Sequence, residues 1–103
     1  DSTKNILNKG RLQMLKKDAI LINLARGGLI DEVALKNILS KNSIAGAALD
    51  VFLVEPPIDT DFAHLDNVLI TPHIGGSTEE AILAMGMAAI EGLENFKDPL
   101  KFL

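Results

Sequence analysis

The chain has 103 residues, with 10 Lys and Arg against 14 Asp and Glu and a formal net charge of −4. That length suits one domain, and the acidic balance, with no Trp or Tyr and only 4 Phe, argues against nucleic acid, whose binding needs clustered cations and stacking rings. The absence of Cys removes disulfide scaffolds, thiolate nucleophiles and thiolate metal sites, while 48% hydrophobic residues mark a core-forming chain rather than a disordered one.

Charge is unevenly spread. Residues 1–50 hold 8 basic and 5 acidic residues, a net +3, and residues 51–103 hold 2 and 9, a net −7. The chain opens on Asp1 rather than Met, which predicts a processed, excised or truncated piece. Seven charged residues among the first twenty predict no signal peptide. The longest uncharged apolar stretch of the last third, Ala81 to Ile90, has 10 residues and is too short to cross a bilayer. A soluble, cytoplasmic protein is expected.

Residues 4–17 read as a polar turn and short helix. Ala19-Ile-Leu-Ile-Asn-Leu24 is a β-rich run with apolar residues at both parities, which predicts a strand buried on both faces. Arg26-Gly27-Gly28 breaks it. Asp31 is a good N-cap for a helix over Glu32 to Ser40 with an inward stripe of Val33, Leu35, Ile38 and Leu39, and Asn42 ends it. Ile44-Ala-Gly-Ala-Ala-Leu49 is a second strand, closed by Asp50, whose small residues would let a helix or ligand approach the backbone. Residues 55–66, with two prolines and four acids, read as a loop. Asn67-Val-Leu-Ile-Thr71 is a third strand, stopped by Pro72. After Gly75 and Gly76, Ser77-Thr-Glu-Glu80 reads as a capping box opening a helix to about Phe96, with a stripe of Ile82, Met85, Ala89, Leu93 and Phe96. Met85 and Met87 are expected in the core. Gly86 and Gly92, with Ala81, Ala84 and Ala88, form a candidate close-packing face.

Strands apolar on both faces and joined by crossovers predict an α/β fold, a partial Rossmann-type parallel sheet of about three strands with flanking helices. Ligands of such sheets bind outside the carboxyl ends of the strands. Arg26 lies just past the first strand, Asp50 and Glu55 past the second, and His73 past the third. Singly, these residues have ordinary explanations: a surface charge, a turn cap, a solvated loop acid and a structural histidine. Jointly, they place a guanidinium fork, two carboxylates and an imidazole on one edge. Arg suits a carboxylate or keto oxygen, His carries a proton near neutral pH, and a Glu beside it favours the imidazolium. This is equipment for moving a proton at a hydroxyl or carbonyl next to a carboxylate. Two His and no Cys give no metal-ligand spacing, so no metal is expected. His64, in the acidic loop, is expected to be a solvated surface residue.

Four segments carry a resemblance: Ala25-Arg-Gly-Gly-Leu-Ile-Asp31, Ala47-Ala-Leu-Asp-Val-Phe52, Glu55-Pro-Pro57 and Asn67-Val-Leu-Ile-Thr-Pro-His-Ile-Gly-Gly-Ser-Thr78. In content, order and distance the chain resembles the D-isomer-specific 2-hydroxyacid dehydrogenases, from Ser2-Thr-Lys-Asn5 to the last helix. The run from Thr71 to Thr78 looks most like the D-3-phosphoglycerate dehydrogenase branch, and Glu55 speaks against the formate dehydrogenase branch. The resemblance implies an NAD-dependent oxidoreductase, with NADP left open, moving a hydride between the cofactor and a D-2-hydroxy or 2-keto acid, 3-phosphoglycerate among the candidates. It implies catalytic roles for Arg26 (substrate binding), His73 (acid/base) and Glu55 (its acidic partner). Asp50 would meet the nicotinamide carboxamide, and Leu24, Ala25, Arg26, Gly75 and Gly76 would lie along the cofactor. A homo-oligomer, a dimer, is implied, with no nucleic-acid or membrane partner.

No G-x-G-x-x-G occurs, so the strand and helix end that would hold a pyrophosphate are absent from this sequence. Residues 1–76 are expected to be the C-terminal half of a dinucleotide-binding domain, and residues 77–103 a helix returning toward a substrate domain. The isolated fragment is expected to be inactive. The alternative is a non-catalytic dinucleotide-sensing or assembly fragment, like the corepressor relatives of these enzymes.

Overall fold

The computed structural model describes residues 2–58 and 61–95. The chain divides into two compact units, Asp1–His73 and Ile74–Leu103. In the first unit the three apolar runs form β1 (Ile20–Asn23), β2 (Gly46–Leu49) and β3 (Val68–Ile70), each one or two residues shorter at an end than the run that predicts it. They make one parallel sheet in the order β1-β2-β3. The register aligns Leu21 with Ala47 and Val68, and Asn23 with Leu49 and Ile70. Those residues share one face, because side chains alternate along a strand.

Two helices belong to this unit, α1 (Lys9–Gln13) and α2 (Glu32–Ser40). α2 has the predicted limits because both ends carry their own signals. The Asp31 carboxylate accepts from Ala34 N at 3.0 Å. At the other end Asn42 adopts a left-handed φ of 51°, Asn42 N donates to Leu39 O at 2.9 Å and Ser43 N to Ile38 O at 2.8 Å. That is a Schellman closure, with asparagine in the position glycine usually takes.

Leu35, Ile38 and Leu39 of α2 join Leu12, Leu21, Ala47, Leu49 and Phe62 in one core. Leu12, Leu35 and Leu39 are fully buried, each contributing about 1.5–3 kcal/mol by burial alone. Val33 does not join them. It is 77% exposed, and Ala34 takes the inward place beside Leu35. Residues 55–66 are not loop throughout: Asp61–His64 forms a 3-10 turn. Buried Phe62 anchors this acidic stretch, its ring 6.0 Å from that of Phe52. In β2 a close approach at Gly46 is made by backbone, since a Cβ there would lie 2.6 Å from Asn67 O.

Within this chain the sheet is covered on one face. Leu21 and Asn23 are buried, but Ile20, Ile22 and Leu69 are 68%, 65% and 64% exposed. Helix and turn cover one face of the sheet, and no described residue of this unit buries the other. A two-faced apolar pattern records what a strand can bury, not which layers its own chain supplies.

The second unit contains α3 (Glu79–Glu94). Its N-cap is Thr78, not Ser77. Thr78 is extended and its Oγ1 accepts from Ala81 N at 3.1 Å, while Ser77 N closes a turn on Ile74 O at 3.0 Å. Counting from Thr78, the third helical position is Ala81, so the acid that completes a capping box is out of place. The continuation to Phe96 lies outside the described residues. Met85 and Met87 are 60% and 58% exposed rather than core, because a unit whose described residues hold a single helix has no second layer to bury a stripe. Among the described residues no helix is long and apolar enough to cross a membrane.

Candidate active site

The carboxyl ends of the three strands carry the residues that the edge argument selects. After β1 the chain turns at once. Asn23, a polar residue inside an apolar run, is buried with both side-chain groups used: Oδ1 accepts from Ala25 N at 3.1 Å and Nδ2 donates to Arg26 O at 3.0 Å. This Asx-type turn delivers Arg26 to the surface, where its Nη1 donates to Ala25 O at 2.7 Å. After β2, Asp50 N continues the ladder to Asn23 O at 3.0 Å. The Asp50 side chain is 3% exposed and accepts from Thr71 Oγ1 at 2.5 Å. Thr71 follows β3, and its own N donates to Leu49 O at 3.0 Å. Asp50 is therefore a buried, cross-strand carboxylate rather than a turn cap.

Glu55 and His73, 18 residues apart, meet directly. Glu55 Oε2 lies 2.6 Å from His73 Nδ1, and Glu55 Oε1 accepts from Phe52 N at 2.9 Å. An ionised carboxylate can only accept, so Nδ1 donates and Nε2 is left as the second ring position for proton transfer. The hydrogen bond with His73 holds the Glu55 carboxyl below its ordinary value, followed by the Phe52 amide and, more weakly, the charges of His73 and Arg26, with partial burial opposing them. His73 itself sits at a left-handed φ of 55°. Such a backbone is uncommon outside glycine, though histidine is among the residues enriched there. A cleft of 360 Å³ is lined by Asp50, Glu55, Thr71 and His73, with Phe52 and Ile70 as apolar wall. It is open to solvent: the His73 and Glu55 side chains are 48% and 35% exposed.

Of the predicted residues, the fold brings Glu55 and His73 into contact and sets Asp50 in the same cleft. Arg26 stands at the neighbouring strand end, outside the cleft lining but near enough for its charge to act on Glu55. Leu24 and Ala25 line a separate hollow with Ile22 and Leu29. Gly75 and Gly76 belong to the second unit, in the turn closed by Ser77 N on Ile74 O. Neither has a positive φ. His64 is exposed, on the 3-10 turn.

Sequence reasoning passed over three residues that shape this edge: Asn23, Thr71 and Glu32, the last of which accepts from Leu53 N at 2.6 Å. Asn23 had a legible signal, a lone Asn at the end of an apolar run before a turn. The other two act on a buried carboxylate and on a loop amide, which no periodicity reveals.

The family model for the NAD binding domain of D-isomer specific 2-hydroxyacid dehydrogenases matches residues 1–75. The chain is 49% identical over 92 residues to a D-3-phosphoglycerate dehydrogenase of Methanocaldococcus jannaschii, covering 89% of this chain and 18% of that protein. It is 45% identical over 95 residues to a glyoxylate reductase of Pyrococcus furiosus, covering 92% of this chain and 28% of that one. Among solved structures, an NADPH-dependent glyoxylate/hydroxypyruvate reductase from Sinorhizobium meliloti, in complex with NADP and malonate, superposes with a TM-score of 0.83 at 34% identity, over 90% of this chain and 29% of that one. The chain thus spans between about a fifth and a third of the length of these relatives.

Proposed function

We infer the function of this chain from its family: it belongs to the D-isomer-specific 2-hydroxyacid dehydrogenases, within their NAD-binding domain. Within a longer protein it supplies the proton-transfer side of the reversible reduction of a 2-keto acid to a D-2-hydroxy acid. The observation that carries this reading is the 2.6 Å contact of Glu55 with His73 at the carboxyl edge of the sheet.

The donor set fits only part of the cofactor. Asp50, Leu24 and Ala25 suit the nicotinamide end, and no G-x-G-x-x-G exists here for the pyrophosphate. The nicotinamide, when bound, supplies the hydride that adds to the carbonyl carbon. His73 donates the proton that the carbonyl oxygen acquires, so one hydride and one proton account for the new C–H and O–H bonds. Glu55 fixes the ring's orientation by accepting from Nδ1. Arg26 offers its planar fork to the substrate carboxylate and carbonyl oxygen. Asp50, held by Thr71, presents a fixed acceptor to the carboxamide.

3-Phosphoglycerate is the substrate we propose first, on the 49% identity to a D-3-phosphoglycerate dehydrogenase. The glyoxylate reductase relative makes glyoxylate the comparison. NAD is proposed as cofactor, and the NADP named for the Sinorhizobium structure makes NADP the comparison there. We further propose a cytoplasmic homodimer, with residues 1–76 completing a dinucleotide domain and residues 77–103 leading toward a substrate domain, on the family resemblance. The test is to assay the full-length protein with 3-phosphohydroxypyruvate, glyoxylate and pyruvate, using NADH and NADPH. Its Arg26→Lys variant keeps the charge but loses the bidentate fork. It is expected to lose about 10–100-fold in kcat/KM for the keto acid, with cofactor affinity little changed. Equal activity in the variant would remove Arg26 from the substrate site.

A further inference from the structure

The loop that carries Glu55 is fastened by two carboxylates on consecutive amides. Phe52 N donates to Glu55 Oε1 at 2.9 Å, and Leu53 N donates to Glu32 Oε1 at 2.6 Å. The first bond is internal to the loop, since Glu55 holds its own turn. The second comes from another element, because Glu32 is the first residue of α2. The same peptide lies against the turn that follows Arg26, where a Cβ on Gly27 would come within 1.9 Å of the Phe52 carbonyl carbon.

We propose that Glu32 is a positioning residue for the Glu55–His73 pair: by holding the Leu53 amide it fixes the turn from which Glu55 reaches the imidazole. This rests on the reading of that pair as the proton-transfer couple. Packing anchors the stretch at buried Phe52, but Leu53 and Val54 beyond it are 63% and 51% exposed. Beyond Phe52, hydrogen bonds hold the loop. Both oxygens of Glu55 are engaged, one on Phe52 and one on His73, so the second contact keeps its length only while the Phe52–Glu55 turn keeps its shape. Glu32 grips the amide next to the one that defines that turn. Asp31, by capping α2, fixes where Glu32 begins. The Glu32–Leu53 bond is exposed, so water can replace the lost acceptor at little cost in stability. The loss then falls on the aim of Glu55, and a shift of about 1 Å in a catalytic group is enough to slow turnover measurably.

The full-length protein carrying this chain is compared as Glu32→Ala, Glu32→Gln, Glu55→Gln and the double variant Glu32→Ala/Glu55→Gln. The readouts are kcat for 2-keto acid reduction, NADH dissociation constant and melting temperature. Glu32→Ala is expected to lower kcat about 3–10-fold with NADH affinity and melting temperature unchanged. Glu32→Gln, which keeps an acceptor oxygen, is expected to retain turnover. In the Glu55→Gln background Glu32→Ala is expected to add nothing, because a residue that works through Glu55 has no effect once Glu55 is disabled. The proposal is overturned, with the pair's role left standing, if the two losses multiply, if Glu32→Ala is silent, if Glu32→Gln falls as far as Glu32→Ala, or if melting temperature and NADH affinity fall together with kcat. A Glu55→Gln variant with undiminished turnover overturns the pair's role and the proposal with it.

Discussion

Replacing His73 by alanine in the full-length protein is expected to lower keto-acid turnover by about 10²–10⁴-fold, the usual contribution of a positioned acid/base. Cofactor affinity and folding stability should be nearly unchanged. The ring is 48% exposed, so its removal opens no cavity, and substitutions at exposed positions generally cost little stability. Glu55→Gln is the milder companion. The amide still accepts from Phe52 N but carries no charge, so the charge-assisted bond to the ring is lost. Turnover is expected to fall less than in His73→Ala, because the ring is kept and only its charged partner is lost. Steady-state rates, with cofactor binding followed separately, read both effects. Wild-type turnover in His73→Ala would end the proton-transfer assignment.

Gly27→Ala is the second large effect, and it acts by a different route. Its Cβ would stand 1.9 Å from the Phe52 carbonyl carbon, 2.2 Å from Leu53 N and 2.2 Å from Phe52 O. These are backbone atoms, which cannot rotate aside as a flexible side chain would. The conformation of Gly27 is not the reason, because no described glycine has a positive φ. Either the turn after Arg26 or the Phe52–Leu53 segment must retreat by about 1 Å or more, since interiors are close-packed. A loss of about 2–4 kcal/mol is expected, and activity should fall beyond what the unfolded fraction explains, because Arg26 and Glu55 hang from the two segments pushed apart. Gly28→Ala is the control. A Cβ there meets only the Leu53 Cδ1 at 3.6 Å, an ordinary contact, so near-normal stability is expected. Urea unfolding of the two variants separates them, and equal midpoints would show that the Gly27 contact relaxes freely.

Much of this fold was legible because its signals are local. Three apolar runs, an Asp before a helical stripe and an Asn after it placed β1, β2, β3 and α2 within a residue or two. What failed depends on context. Val33 and Ala34 are adjacent apolar residues, and one step of 100° decides which faces inward. Ser77 and Thr78 are both competent caps, and only the turn on Ile74 O selects Thr78. Phe62 could not be seen as an anchor because its partner Phe52 is ten residues away across an irregular loop. The site divides the same way. The rule that ligands meet parallel sheets at strand carboxyl ends was enough to select Arg26, Asp50, Glu55 and His73. The contact of Glu55 with His73 was not derivable from spacing, because it depends on the path of residues 51–58, and there the family resemblance supplied the expectation.

The order of the strands also grades the mobility of the site. Sheets open locally from their edges, and a strand bonded on both sides is the last to release its amides. β2 is the middle strand of the three, so Asp50, buried at its end and tied to Thr71, belongs to the slowest-exchanging part of the unit. Arg26 and His73 follow β1 and β3, and both are exposed. The acceptor thus sits at the end of a strand hydrogen-bonded on both sides, while the cation and the imidazole are exposed side chains whose rotamers can adjust to whatever enters the cleft.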